Sequence, residues 1–370
     1  MGEGRWTGRG KGGLLAACLL VSAPALADEL PPPLAPPTAS NTTPSSERPV
    51  EPPRPGGPER QPLSEGGEGL LEDSTKKGLR VRPFGRVYAR MSADGREQYL
   101  RSLSIPSARV GLAASLSRVD AEVTADLSSK SILKDAFLRV ASDSKQLRLY
   151  GGQFKAPFLQ RELESSWALP VVRRGLVANY LEDTYKLGGR RLGLMGEVNL
   201  KQAWRLRVSG GVFEGAKNQD GQRLSEDAAL RVSVRPFKRL TLGASSYLTE
   251  VFAGTRQHAL AADAALRLGG LELSGELVRG RITPGPFQGG LALASYVLPL
   301  GLEGWAVQPL AGAELLRLVG PSRAGGYAVV GGINILYSQH FKAQLQMEHA
   351  LRPGDELAGL EFSFQLATRF

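Results

Sequence analysis

The chain has 370 residues, a formal net charge of +10 and a single cysteine, Cys18. One cysteine excludes an intrachain disulfide and a site built from several thiolates, and three histidines leave little for metal or triad chemistry. The basic balance fits an anionic partner, of which nucleic acid, an anionic membrane and small anions are the three classes to weigh.

The chain begins with the layout of a secretory signal peptide, residues 1–27. Basic residues come first, an apolar stretch LLAACLLVSA follows, and Ala25 and Ala27 supply the small residues of an A-x-A cleavage site. The stretch LAAC resembles a bacterial lipobox, so lipidation at Cys18 is the alternative. We predict cleavage after Ala27, and export excludes nucleic acid as the natural partner.

Residues 28–78 are rich in Pro, Ser, Thr, Gly and charge. Such a segment cannot bury enough apolar area to offset the entropy of ordering it. We predict a disordered periplasmic tether, partly in the polyproline conformation, that carries no catalytic site.

From residue 79 onward, apolar and polar residues alternate with the period of two that β-strands require. In RVRPFGRVYARM, Val81 and Val87 fall on one face, and Arg86 and Arg90 on the other. Sixteen segments repeat this pattern, and an even number is typical of a bacterial barrel. No window after the leader has the roughly 18 apolar residues of a spanning helix, so a chain in a membrane must be a closed sheet. We predict an all-β fold, a 16-stranded antiparallel transmembrane β-barrel over residues 79–370.

The connections between the predicted strands alternate in length. Short ones such as PFKR follow even-numbered strands, and longer ones such as residues 92–107 and 279–288 follow odd-numbered strands. Short turns at one end and longer loops at the other are typical of outer-membrane barrels. The alternative is a secreted β-sandwich, but its dry core needs large apolar side chains. Here one face is rich in Gly and Ala and the other is charged, which favours the barrel.

The last strand, GLEFSFQLATRF, ends the chain on an aromatic residue. It places Phe362 and Phe364 on one face and Glu361 and Gln365 on the other. We predict that this strand closes the cylinder, and that Phe370 belongs to the signal by which outer-membrane barrels are assembled.

One connection is far longer than the others and runs from Lys155 to Arg190, after the fifth strand. A loop of this length in a compact fold is usually functional. The stretches GGQFKAPF, ESSWALPVVRRG and GGRRLGLMGEV, within it and at its borders, resemble the phosphate-selective porin O/P family. The resemblance implies a trimeric, anion-preferring channel of sixteen strands, in which the third outer loop folds into the lumen and narrows the pore.

Basic residues recur along the strands and in this long connection. Rings of Arg and Lys select anions in pores, and an arginine that faced lipid at mid-bilayer instead of water would cost about 2 to 4 kcal/mol. The alternative is that the charged residues of a loop are simply solvated. We predict a set of residues that line the pore and bind anions: Arg80, Arg82, Arg86, Arg90, Arg148, Lys155, Arg161, Arg173, Arg174, Arg190, Arg191, Arg205, Arg207, Arg231 and Arg235.

The sequence offers no enzyme chemistry. His258 and His340 fall at strand ends or turns, and His349 is out of phase with its polar neighbours, so no nucleophile, base and orienting group are expected within reach. No phosphate-binding loop, metal motif or cofactor motif stands out.

We predict a porin of the bacterial outer membrane that passes small anionic solutes, phosphate or other oxyanions among them, by passive diffusion. Its expected partners are outer-membrane lipid, the barrel assembly machinery and further copies of itself in a homotrimer. The alternative is a barrel that does not conduct and has a structural or adhesion role.

Overall fold

The computed structural model describes residues 78–95, 100–215, 225–251, 254, 256–283, 285–319 and 325–370. The predicted signal peptide and the predicted tether, apart from its last residue, lie outside the described residues.

In the part of the chain that the structure describes, sixteen antiparallel strands form one sheet. In chain order they are β1 Arg80–Asp94, β2 Leu100–Leu116, β3 Val119–Asp126, β4 Leu133–Ala141, β5 Leu147–Lys155, β6 Arg190–Leu200, β7 Leu206–Glu214, β8 Glu226–Phe237, β9 Leu240–Leu248, β10 His258–Leu268, β11 Leu271–Ile282, β12 Gly285–Tyr296, β13 Trp305–Leu318, β14 Gly325–Tyr337, β15 Phe341–Leu351 and β16 Gly359–Arg369. After an interruption at Val297, β12 continues as Leu298–Pro299, which pairs with β13 as β12 does.

The sheet closes on itself into a barrel. Each strand pairs with its neighbours in sequence, and β1 pairs with both β2 and β16. At this seam the main chains of Gly85 and Phe370 exchange two hydrogen bonds of 3.2 and 3.1 Å. The ring of Phe370 lies over Gly85, in the space that a Cβ atom would occupy. The prediction of a 16-stranded antiparallel barrel closed by the last strand is confirmed.

The two faces of the sheet have opposite character. In β3, Val119 and Val123 point outward and are 42% and 52% exposed, whereas Asp120, Glu122 and Thr124 point inward and are at most 5% exposed. The buried face is therefore the polar one, which is the reverse of a soluble sheet and typical of a barrel with a polar interior.

The strands are longer than the sequence pattern predicts, so the connections are shorter. β1 continues to Asp94 and β2 begins at Leu100, which reduces the predicted connection 92–107 to residues 95–99. The inward hydroxyls of Ser92 and Ser102 lie 2.9 Å apart across this extension. Polar residues resemble a loop in sequence, but the main-chain ladder does not depend on side-chain polarity.

The long connection between β5 and β6, residues 156–189, folds into the barrel and is called the infolded segment. It contains two short helices, α1 Gln160–Leu163 and α2 Leu176–Asn179, and a π-helical turn, Tyr180–Thr184. No helix in the described ranges is long and apolar enough to cross a membrane. We call the end of the barrel where β1 begins and β16 ends the turn end, and the opposite end the loop end.

Candidate functional site

The infolded segment is attached to the barrel wall at Pro170. The Pro170 carbonyl accepts hydrogen bonds from three inward-facing amides, Asn334 Nδ2 at 2.8 Å, Gln344 Nε2 at 2.9 Å and Gln346 Nε2 at 3.0 Å. Gln346 Oε1 in turn accepts the main-chain N–H of Val172 at 2.8 Å. Proline has no N–H of its own, so its carbonyl is the polar group that remains for anchoring.

A second attachment surrounds Trp167. Lys342 Nζ donates to the carbonyls of Trp167 and Leu169 at 3.0 and 2.8 Å. The same ammonium lies 5.6 Å from the centroid of the indole, and the guanidinium of Arg369 lies 4.9 Å from it. Both distances are those of cation–π contacts with the indole ring. Lysine and arginine side chains of β15 and β16 therefore hold this part of the segment.

Three glutamates of the wall accept from the segment. Glu276 accepts the main-chain N–H of Arg161 at 2.9 Å, and Glu361 accepts Arg173 Nη2 at 2.6 Å. Glu314 accepts the main-chain N–H of Val177 at 3.1 Å. Val177 lies in the first turn of α2, where main-chain N–H groups have no partner within the helix, so this carboxylate substitutes for a helix cap.

Apolar packing completes the attachment. Phe158 of the segment lies with its ring centroid 5.5 Å from that of Tyr247 in β9, and Leu169 packs in one cluster with Leu293 and Leu310. Two small cavities, of about 10 and 20 Å³, lie beside the segment. A cavity of this size holds at most one water molecule.

Two cations, one at the end of β5 and one within the segment, also brace it. Lys155 Nζ donates to the carbonyls of Glu162, Leu163 and Glu164 at 2.8, 3.3 and 3.0 Å. Arg174 Nη1 donates to the carbonyls of Arg161, Glu162 and Glu164, each at 2.8 Å. These carbonyls lie at the C-terminal end of α1, where a positive charge interacts favourably with the helix dipole. Lys155 and Arg174 therefore fix the shape of the segment.

Two carboxyl groups of the segment share this region and differ in protonation. Burial opposes the ionisation of Glu162, but Arg174 and Lys155 outweigh it and hold the pKa of Glu162 below its usual value. Burial, together with the charge of Glu162 and a hydrogen bond to it, raises the pKa of Glu182 to about 7. Two adjacent carboxyl groups of this kind hold one proton between them near neutral pH.

Several predicted pore-lining arginines face the interior and pair with a carboxylate of the wall. Arg190 binds both oxygens of Asp135 at 2.9 and 3.0 Å, and Arg231 binds both oxygens of Asp263 at 2.8 and 2.9 Å. Arg148 donates to Glu197 at 2.8 Å, and Arg173 to Glu361 as described above. Their charges are largely compensated within the barrel.

Four other predicted residues lie in the infolded segment or contact it. Arg86 donates to Ser165 Oγ at 3.2 Å, and Arg90 donates to Gln365 and to the carbonyl of Val172. Arg161 lies within the segment and forms an ion pair with Glu164 at 3.6 Å. Arg191, at the start of β6, donates to the carbonyl of Lys186. These residues position the segment in the interior.

The remaining predicted residues gather at the turn end. Arg80 and Arg82 lie at the start of β1, Arg205 in the turn before β7, Arg207 at the start of β7, and Arg235 near the end of β8. Arg82 and Arg205 are exposed, and the other three are half-buried. The turn end of the interior is thus a basic, water-accessible mouth.

No protein-family model matches the chain, and no curated protein matches it. Solved structures match in fold. An anion-selective porin from Comamonas acidovorans superposes with a TM-score of 0.56 at 10% identity, over 79% of this chain and 100% of that chain. The outer membrane channel DcaP of Acinetobacter baumannii gives a TM-score of 0.57 at 10% identity, over 79% and 98%. OmpT of Vibrio cholerae, in its trimer form, gives 0.58 at 8% identity, over 80% and 100%.

The chain has a porin-type fold. Sequence reasoning about this porin-type barrel missed the wall residues that hold the infolded segment, which are Glu276, Glu314, Asn334, Lys342, Gln344, Gln346 and Glu361. One signal was present, because Lys342, Gln344 and Gln346 form an uninterrupted polar row at every second position of β15. A row of amides and ammonium groups facing inward indicates main-chain carbonyls nearby, because such side chains need acceptors when they are buried.

Proposed function

We propose that the protein is a channel of the bacterial outer membrane, exported by its signal peptide and inserted by the barrel assembly machinery. A barrel with an apolar outer face and a polar interior suits a lipid bilayer. In the bilayer, every main-chain hydrogen-bonding group must be paired within the sheet. The porin-type fold supports the same placement. We propose no catalytic role for the barrel. Its proposed role is the passive diffusion of solutes.

The proposed solutes are small anions. The observation that carries this proposal is the basic mouth at the turn end, where Arg80, Arg82, Arg207 and Arg235 of the strands and Arg205 of an adjacent turn gather with partial access to water. Low-dielectric walls strengthen the field of such a group, and guanidinium groups suit oxyanions because they donate in pairs. Several sites of moderate strength let an anion enter and leave again.

We propose phosphate and other oxyanions as solutes because the sequence resembles the phosphate-selective porin O/P family. We propose a homotrimer for the same reason. One of the porin-type neighbours is described in a trimer form and another as anion-selective, which supports both proposals. Within the interior, Arg86 and Arg90 are the proposed anion contacts beside the infolded segment.

A barrel that does not conduct, with a structural or adhesion role, is the second candidate. The specific observation in its favour is the number of attachments of the infolded segment, which reach inward-facing residues of β1, β8, β9, β11 and β13 to β16. A segment held on so many strands fills much of the interior.

Planar bilayer recordings under a KCl gradient test the proposal. The unmodified protein should give a reversal potential that favours chloride over potassium, and Arg207→Glu with Arg235→Glu should move it toward potassium. Arg101→Glu with Lys130→Glu, which makes the same total change of charge at exposed positions of the loop end, is the matched control and should leave the reversal potential unchanged. Cation preference in the unmodified protein would refute anion selectivity, and absence of conductance would favour the structural barrel.

A further inference from the structure

The outer surface of the barrel carries a basic patch at the loop end. Strand positions on this surface are mostly Leu, Val, Ala, Gly and Phe, and many of the large ones are exposed. Arg279 and Arg281 of β11 and Arg317 of β13 depart from this pattern, because all three are exposed and alternate with buried inward residues. We call Arg279, Arg281 and Arg317, together with Gln288 of β12, the outer basic patch.

The register places these residues side by side. Arg279 lies opposite Gln288, and Gln288 lies opposite Arg317. Neighbouring strands are about 4.8 Å apart, so the two arginines at the ends of this row are about 10 Å apart at their Cα atoms. Arg281 lies two positions further along β11, which is about 6.6 Å. Long side chains at these spacings reach a common ligand of the size of a phosphate group.

The guanidinium groups of the patch have no ion pair with any residue that the structure describes. This distinguishes them from inward arginines such as Arg190 and Arg231, each of which binds a carboxylate through two nitrogen atoms. A cluster of positive charge without a counter-charge on the same surface repels itself and attracts an external anion.

The position of the patch along the barrel indicates where that anion comes from. Leu277 and Leu315 lie two positions nearer the middle of the barrel on the same strands, face outward and are 69% and 52% exposed. The arginines therefore lie at the edge of the apolar surface, where the hydrocarbon of a bilayer would give way to its headgroups. Lipid phosphates are the anions concentrated at that level.

We propose that the outer basic patch binds the phosphate group of an anionic lipid in the leaflet at the loop end. The inference rests on the membrane placement proposed above, but not on conduction or anion selectivity. The guanidinium groups of Arg279 and Arg317 donate to phosphate oxygens in charge-assisted hydrogen bonds, and the Gln288 amide between them supplies a further donor. The acyl chains of the lipid lie along Leu277 and Leu315.

The experiment uses the full chain reconstituted in phosphatidylcholine vesicles that contain spin-labelled phosphatidic acid or spin-labelled phosphatidylcholine. Electron spin resonance measures the fraction of each label immobilised at the protein surface. The unmodified protein should select phosphatidic acid. Each basic residue near an anionic surface changes affinity by about fivefold, so Arg279→Gln with Arg317→Gln should weaken the selection by up to about 25-fold.

Arg118→Gln with Arg239→Gln, two exposed arginines in turns of the opposite end, is the charge-matched control and should keep the selection. Heat-modifiable migration on gels checks that each variant is folded. Equal selection in the patch variant and the unmodified protein refutes the proposal. Full competition by inorganic phosphate would refute the lipid as the source of the ligand, and a change of oligomeric state without a change of lipid selection would assign the patch to a contact between copies.

Conductance of the patch variant in a neutral phosphatidylcholine bilayer separates this inference from the proposed function. Normal conductance with lost lipid selection supports the inference. Lipid selection in a protein that does not conduct would leave the patch assignment standing and refute the channel.

Discussion

Replacing Gln346 by Leu should loosen the infolded segment. The Gln346 side chain is 6% exposed, donates to the Pro170 carbonyl at 3.0 Å and accepts the N–H of Val172 at 2.8 Å. Leucine is similar in size but removes both bonds. The Pro170 carbonyl keeps its bonds from Asn334 and Gln344, whereas the Val172 N–H loses its acceptor.

The free-energy change follows from these two losses. The lost bond to Pro170 contributes about 1 kcal/mol, and a buried N–H without an acceptor costs roughly 1–3 kcal/mol. The sum is roughly 2–4 kcal/mol, and since about 1.4 kcal/mol corresponds to tenfold, the population with a displaced segment should rise about 30- to 700-fold. The lower figure applies where water replaces the lost acceptor.

Limited proteolysis by trypsin measures this population, because Arg173 and Arg174 supply cleavage sites in the segment that a protease reaches when the segment is displaced. When reclosing is faster than cleavage, the cutting rate follows the displaced population. Gln288→Leu, the same substitution at an exposed outward position, is the control. An unchanged cutting rate in Gln346→Leu would refute the argument that the Pro170 contacts hold the segment.

The other predictions concern assembly, the tether and pH. Deleting Phe370 removes two main-chain bonds to Gly85 at the seam, so membrane insertion should fall while export continues; a normal yield of heat-modifiable barrel would contradict this. Deleting residues 31–62 should leave the unit conductance unchanged, because the tether proposed from the sequence would add no wall contact, and a changed conductance would place it in the pore. The folded chain keeps the Glu182 proton up to about pH 7, whereas the unfolded chain releases it near its ordinary value of 4.5, so the contribution of Glu182 to the stability of the barrel against heating should fall as pH rises between these values and be level above them. Glu182→Gln should reduce the slope of stability against pH in this range and Asp183→Asn should retain it, and equal slopes in both variants would assign the effect to other groups.

The strands could be predicted from the sequence because alternation is a local property. The apolar residues Val119 and Val123 alternate with the polar residues Asp120 and Glu122, and this pattern is visible without knowledge of the rest of the chain. A closed barrel with a polar interior requires the same alternation in every strand. Strand ends could not be predicted as well. Hydrogen bonds of the main-chain ladder continue to Asp94, where side-chain hydrophobicity no longer alternates.

The candidate site was predictable only in part. The length of the long connection and its resemblance indicated that it folds inward, and the inward direction of Arg86 and Arg231 followed from the alternation. Its anchors were not predictable, because Pro170 and Gln346 are 176 positions apart in the chain and nothing local to either residue identifies the other. The pairing of Arg231 with Asp263 depends on register between strands that are not neighbours in sequence, and single-strand patterns contain no such information.

The pairing of β1 with β16 makes the order of strands around the barrel circular. Both strands meet their sequence neighbours and each other in the same antiparallel manner, so the wall has no geometric beginning. A circularly permuted chain that starts at β3 and ends at Leu116 could form the same wall, provided that a linker joins Phe370 to Arg80 at the turn end. Such a chain would end on an aliphatic residue, and Phe370 would lie within the chain. It would thereby separate the contacts that stabilise the barrel from the terminal signal proposed to be recognised by the assembly machinery.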